Sequence, residues 1–226
     1  VALIDLDLYF GTLALALDME PGLGFREALE NPSRIDGLFI ERAMVRESDN
    51  LYILAAEEGL ENSFSFDPKA LVRLLETLRA EFDCVVIDLP RFAARSQIST
   101  LIPPASVVVV SDPTLAGMRD TQRLAKPVKT VTPDSELSIV VNRVGNSKNG
   151  ELTIKDFESG AELSVDHQIP CDVKSAILAE GAGKTVAEIA KATKMSQTLR
   201  DLSRNVSGRV EDVVQAPMWK RLMGRG

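Results

Sequence analysis

Cysteine is almost missing from this sequence: Cys84 and Cys171 are its whole complement among 226 residues. Two cysteines build neither a disulfide framework nor a zinc cluster, so the pattern fits a reducing compartment. Histidine occurs once, at His167 beside Asp166, and a lone imidazole reads as a structural or solvated side chain. Long apolar runs are missing too. Stretches such as Val107 to Val110 fall far short of the roughly 20 residues that cross a bilayer. No basic-then-apolar leader opens the chain, so nothing points to export. A positive excess is also lacking, since net charge is -7. That balance argues against non-specific DNA binding, which depends on Lys and Arg neutralising phosphates. There is no internal repeat and no low-complexity linker.

What is present is a core. Apolar residues make up 45% and charged residues 26%, the proportions of a globular chain that buries most of its apolar surface. Val1 to Asp7, Cys84 to Pro90, Ser106 to Val110 and Leu137 to Val141 are short β-branched or aliphatic runs, polar only near their C-terminal ends. Such runs predict strands buried on both faces. Leu51 to Ala55 and Leu163 to Ile169 predict weaker ones. Helical spacing separates them. Leu71, Leu74, Leu75, Leu78 and Phe82 share one face, with Asp67 as N-cap and Pro68 at the first helical position. Asp112-Pro113 repeats that start signal before Leu115 and Met118. Strands alternating with helices predict an α/β fold, a doubly wound and mostly parallel open sheet with helices on both faces. Residues 1–212 read as one domain and 213–226 as a tail. Asn146 to Gly150 reads as an exposed loop.

In such sheets ligands bind at the carboxyl ends of the strands, where the polar residues fall. Asp5 and Asp7 close one run, Asp88 another, Asn142-Arg143 a third, and Pro170 to Asp172 the last. An acid there is often only a turn residue. Convergence of four strand ends on one edge makes a site the better reading.

The order of these segments resembles the MinD/ParA-type P-loop ATPases over nearly the whole chain. Ile4-Asp5-Leu6-Asp7 with Phe10-Gly11 resembles their second box, and Val85 to Pro90 their Walker B strand. Val140-Val141-Asn142-Arg143 is similar to the base-recognition strand, and Ile169-Pro170-Cys171-Asp172 to the segment closing over the base. Asp-Leu-Pro-Arg at 88–91 resembles the CpaE/TadZ pilus-assembly branch in particular. The resemblance implies that Asp7 orients the attacking water, with Asp5 in support, and that Asp88 holds Mg2+. It implies that Asn142, Arg143, Pro170, Cys171 and Asp172 bind the nucleotide base. Asn142 has the amide that suits an adenine edge, although a turn role after a strand stays open.

The same resemblance exposes a gap. A phosphate loop uses glycines to free backbone N–H groups and a Lys to neutralise charge, and no Gly-x-x-x-x-Gly-Lys-Ser/Thr occurs here. The chain opens at Val1 directly on a strand pattern, so we expect the loop, and the strand preceding it, to lie in an absent earlier part. ATP and Mg2+ are expected ligands only with that loop. Gly181-Ala182-Gly183-Lys184-Thr185 is no substitute. Leu178 stands where the first Gly should be, and the segment follows a helical pattern, so it predicts one helix turning into another.

Arg91-Phe92 departs from the family, which usually has a nearby Gly facing the γ-phosphate. An Arg could meet phosphate or simply be solvated. In the tail, Met218, Trp219, Leu222 and Met223 share one helical face beside Lys220, Arg221 and Arg225. That pattern suits weak membrane contact or a partner-docking end. Taken together, the resemblance implies an ATP-dependent localisation or assembly factor for a Flp/Tad-type pilus. It would be a cytoplasmic homodimer contacting pilus-assembly proteins, or peripheral at the inner membrane or cell pole, with DNA a disfavoured partner. The alternatives are a non-catalytic scaffold and a ParA-type partition or MinD-type positioning ATPase.

Overall fold

The computed structural model describes residues 1–22, 24–61, 68–94, 98, 105–146 and 150–207. Asp67 and the 213–226 tail lie outside them.

The first sheet has the order β2 (Val45–Arg46), β3 (Tyr52–Leu54), β1 (Ala2–Asp5), β4 (Val85–Asp88). Strand β1 pairs in parallel with both β3 and β4, and β2 adds an antiparallel edge. Alternation within these strands sorts side chains to two faces. Ala2, Ile4 and Leu54 join a core with α2 (Gly24–Glu30), α3 (Gly37–Ala43) and α4 (Pro68–Glu81). Leu3 and Ile53 point the other way, into a smaller cluster with Ala14 of α1 (Leu13–Ala16). Helix α4 explains its own length: Leu71, Leu74, Leu75 and Leu78 form one buried stripe at the expected helical period.

The second sheet is parallel, in the order β5 (Ser106–Ser111), β6 (Glu136–Val144), β7 (His167–Pro170). Helix α5 (Leu115–Val131) and helix α6 (Ile154–Ala161) cover one face, packing Met118 and Phe157 on Val109, Ile139 and Val141. After β7 come α7 (Val173–Glu180), α8 (Val186–Ile189) and α9 (Lys194–Ser207). Helix α9 lies against β7, where Asn205 Nδ2 sits 3.1 Å from His167 Nε2. That contact gives the lone histidine a structural place.

Three details differ from the sequence reading. The N-cap of α5 is Thr114, whose hydroxyl accepts from Gly117 N–H at 3.0 Å. Asp112 instead uses its carbonyl to accept from Thr114 N–H, and its carboxylate pairs with Arg143. Strand β7 begins at His167, not Leu163. Asp166 exchanges both bonds with Ile139, through its N–H and its carboxylate, so the segment before it leaves the ladder. Strand β2, two residues long, escapes any periodicity. Among the described residues β4 and β5 each pair on one side only.

The Gly181 to Thr185 segment does what its pattern predicts. Gly181 ends α7, donating to Ile177 O at 2.9 Å, and Thr185 opens α8 with its N–H on Glu188 Oε2 at 2.9 Å.

Candidate functional site

The strand-end residues collect into two groups, one on each sheet. The first is built around Asp5. Its carboxylate is buried, 2% exposed, and accepts from two backbone donors, Asp7 N–H at 3.0 Å and Leu13 N–H at 3.2 Å. The loop from 6 to 12 therefore wraps around a buried anion. Gly11 makes the wrap possible, because a Cβ there would lie 2.4 Å from Asp5 Oδ2 and 2.5 Å from Asp7 O. Asp7 sits half-buried on the same loop and accepts from Phe10 N–H at 3.1 Å.

Asp88 is the register partner of Asp5 across β1 and β4. Its pKa is raised, first by desolvation and then by the charges of Asp5 and Asp7. Its side chain keeps access to solvent. Water therefore screens much of the burial contribution, and the two neighbouring charges are what a cation would answer. Among the described residues no three carboxylates converge into a ready metal cage. Mg2+ is usually held by one or two carboxylates plus waters and phosphate oxygens.

The raised pKa carries a sign. The folded chain holds the Asp88 proton more tightly than the unfolded one, so stability falls as pH rises from the unfolded value through the folded one. Asp88→Asn is therefore expected to raise the thermal midpoint at pH 7. The gain should shrink as pH falls through the Asp88 pKa, where the native carboxyl is already neutral. Thermal melts from about pH 3, below the ordinary carboxylate range, to about pH 8 read this directly. A variant that melts lower at neutral pH would contradict it.

The second group gathers at the ends of β6 and β7. The β6 ladder shifts register between Val141 and Val144, a bulge that re-aims the residues within it. Asn142 turns its Oδ1 onto Arg143 N–H at 2.9 Å, and Arg143 adopts φ 58. Arg143 reaches Asp112 at 3.5 Å. Pro170 pairs with Val144, and Cys171 N–H donates to Val144 O at 2.9 Å. Cys171 Sγ lies 3.4 Å from Asn146 Oδ1. Asp172 caps α7, accepting from Ser175 N–H at 3.0 Å and from its hydroxyl at 2.6 Å. Those bonds, the hydroxyl's first, lower its pKa.

A shallow hollow of about 160 Å³ opens here beside Asp112, Thr114, Arg143, Asn146 and Glu151. Asn146 escaped the sequence reading because nothing in an exposed polar loop marks one Asn over another. In the sequence Asp112 reads only as a helix start. A larger hollow of about 530 Å³ lies between α2 and α3, lined by Gly24, Arg34, Asp36 and Phe39. None of the strand-end residues reaches it.

The first group thus holds one buried carboxylate committed to backbone donors and two more accessible ones, Asp7 and Asp88, and the second holds polar groups at Asn142, Arg143 and Cys171. Neither group fits a triphosphate, because these residues include no glycine-rich cradle with its Lys.

No family model matches the chain. It is 24% identical over 214 residues to the septum site-determining protein MinD of Thermotoga maritima, covering 92% of this chain and 77% of that protein. It is 26% identical over 215 residues to MinD of Bacillus subtilis, covering 92% and 78%. An uncharacterised ATP-binding protein of Methanocaldococcus jannaschii is 26% identical over 92% of this chain and 76% of its own length. Among solved structures, a ParA family ATPase from Chlorobium tepidum superposes with TM-score 0.76 at 20% identity, covering 89% of this chain and 84% of that one. The Pyrococcus furiosus cell division ATPase MinD gives 0.74 at 21%, covering 92% and 85%. The structural likeness establishes the fold. With sequence similarity over nine-tenths of its length, the chain has the α/β fold of the MinD/ParA-type P-loop ATPases, and these likenesses support that family for it.

Proposed function

We propose that this chain is the ATPase-like domain of an ATP-dependent localisation or assembly factor for a Flp/Tad-type pilus. The reading is carried by one observation: Asp5 and Asp88 are register partners at the carboxyl ends of adjacent parallel strands, Asp7 follows on the loop after β1, and Asp88 is raised in pKa first by desolvation and then by the charges of the other two. The reading requires a phosphate loop, and these 226 residues contain no Gly-x-x-x-x-Gly-Lys-Ser/Thr motif. Bound Mg-ATP would supply the reacting γ-phosphoryl group and neutralise its charge.

The chain's own residues take the remaining roles. Asp88 would hold the cation, through water. Asp5, already committed to two backbone N–H groups, fixes the loop that carries Asp7. Asp7 would hold the attacking water by accepting its hydrogen bond. Asn142, Arg143, Pro170 and Cys171 would frame the base, while Asp172 stiffens that frame by capping α7. The Asp-Leu-Pro-Arg resemblance supports the pilus branch, and the partners would be pilus-assembly proteins and a second copy of the chain.

A second reading, a scaffold without turnover, draws support from Arg91. It stands beyond β4, ion-paired with Asp120 of α5, at a place where a small residue would let backbone meet phosphate. The third reading, a MinD-type positioning or ParA-type partition ATPase, is supported by the similar proteins, and net charge -7 weighs against its DNA-binding form. Phosphate release by a protein carrying these residues behind a phosphate loop separates them. Turnover that Asp7→Ala lowers about 10²-fold or more, with nucleotide affinity little changed, supports the proposal. Absent turnover leaves the scaffold, and turnover stimulated by DNA in a salt-sensitive way points to partition.

A further inference from the structure

The hollow beside α2 and α3 begins with a close helix contact. A Cβ on Gly24 would overlap that of Ala43, and one on Gly22 would lie 2.7 Å from Ala43 O. The start of α2 therefore rests on the end of α3 with no side chain between them. Leu38, Phe39 and Arg42 share one face of α3, at the i, i+3 and i+4 spacing of helix neighbours. Ile40 points into the core and is 2% exposed. The shared face lines a hollow of about 530 Å³, together with Glu27 of α2 and Arg34 of the 3-10 turn Pro32–Arg34.

The lining is sorted by chemistry. Glu27 and Arg34 are ion-paired with each other. Asp36 is committed as the N-cap of α3, accepting from Phe39 N–H at 2.7 Å. It stands at the far end of the helix from Arg42, about 9 Å along the axis at 1.5 Å per residue. Arg42 is exposed, and among the described residues it has no hydrogen bond or ion pair. Leu38 is 56% exposed. Phe39 is half-buried and packs against the core, which makes it a fixed wall. What is left unmatched is one guanidinium with an apolar strip beside it. Arg and aromatic side chains are the types that contribute most at protein contacts once a partner excludes water. A small-molecule site buries most of its ligand, whereas Arg34, Asp36, Leu38 and Arg42 all stand open to solvent.

We propose that this hollow docks a short segment of a partner protein that presents an aromatic side chain next to a carboxylate. The ring would cover Leu38 and lie against Phe39, and the carboxylate would accept paired hydrogen bonds from the Arg42 guanidinium. Charge complementarity selects the acid. Glu27 is already answered by Arg34 and Asp36 by a backbone N–H, so Arg42 is the charge left to be met. The apolar strip selects a protein segment over a free anion, which would leave Leu38 in water. The strand-end acids and the residues of β6 and β7 take no part, which keeps this docking independent of the ATPase reading.

The probe is a fluorescein-labelled Gly-Ser peptide carrying Phe beside two Glu. One control has Ala in place of Phe, and another has Lys in place of both Glu. Fluorescence anisotropy with the 226-residue chain should show saturable binding of the probe. Each control should bind about tenfold more weakly or worse, some 1.4 kcal/mol per tenfold. Arg42→Glu should weaken the probe by at least as much and restore affinity for the Lys peptide, a reversal that a general loss of packing would not give. Leu38→Ser should weaken the probe several-fold, since less apolar surface is then removed from water. Both positions are exposed, and circular dichroism checks that the variants keep their fold. If Arg42→Glu does not, Arg42→Ala replaces it and should still weaken the probe. Absence of saturable binding, equal binding of the alanine control, or an Arg42 variant that binds the probe as the parent does overturns the proposal. So does a dimer in sedimentation velocity that the Arg42 variant dissolves, because a second copy would then occupy the hollow.

Discussion

Asp5→Ala is expected to destabilise the fold by about 2–5 kcal/mol, the largest effect of any single change at the strand ends. The carboxylate is buried and accepts from Asp7 N–H and Leu13 N–H. Removing it leaves two backbone donors without partners in a site shielded from water. Each unsatisfied donor costs about 1–3 kcal/mol, and bonds to a charged acceptor lie at the upper end. Asp5→Asn should cost less, since its one remaining oxygen keeps one acceptor. Asp7→Ala should cost far less, because Asp7 is half-buried and satisfies one loop N–H.

Gly11→Ala gives the same packing from the other side. Its new Cβ would meet Asp5 Oδ2 and Asp7 O inside contact distance. In an Asp5→Ala background part of that clash is gone, so the two changes should be non-additive. Urea unfolding of the two single variants and the double variant, followed by circular dichroism, measures all three. An Asp5→Ala midpoint equal to that of the parent would show that the loop is not organised by this carboxylate.

This distinction between Asp5 and Asp7 shows where sequence reasoning stops. The Ile-Asp-Leu-Asp pattern marks a strand end with two acids. Only coordinates show that one acid is buried under its own loop and the other remains half open. The fold itself was legible, because β-branched runs ending in acids and the leucine stripe of α4 each obey a periodicity that burial imposes. Thr114 displaced Asp112 as a cap because a one-residue shift in where a helix starts leaves that periodicity intact. Strand β7 began late because Asp166 uses its carboxylate as a ladder partner, a tertiary choice without a local signal. The second strand-end group is visible in the sequence as Asn142 and Pro170 to Asp172 but not as a geometry. The β6 bulge, the φ of Arg143 and the Cys171–Asn146 contact arise only when β6 and β7 are side by side.

Mg-ATP titrated into the 226-residue chain, followed by backbone amide NMR, tests the central claim most directly. The claim is that the cation and base portions of a MinD/ParA-type site are present here without a phosphate cradle. Affinity should therefore be no tighter than millimolar, about 4 kcal/mol of binding, because the contacts that neutralise the triphosphate are not among these residues. Shifts should fall in two groups, Asp5 to Gly11 with Asp88, and Asn142 to Gly145 with Cys171 and Asp172. Chelating the metal should abolish the first group and spare the second, and Asp88→Asn should do the same. Micromolar binding, or shifts centred on Gly181 to Thr185, would contradict the account, because the phosphates would then be held by a segment assigned here to a helix turn.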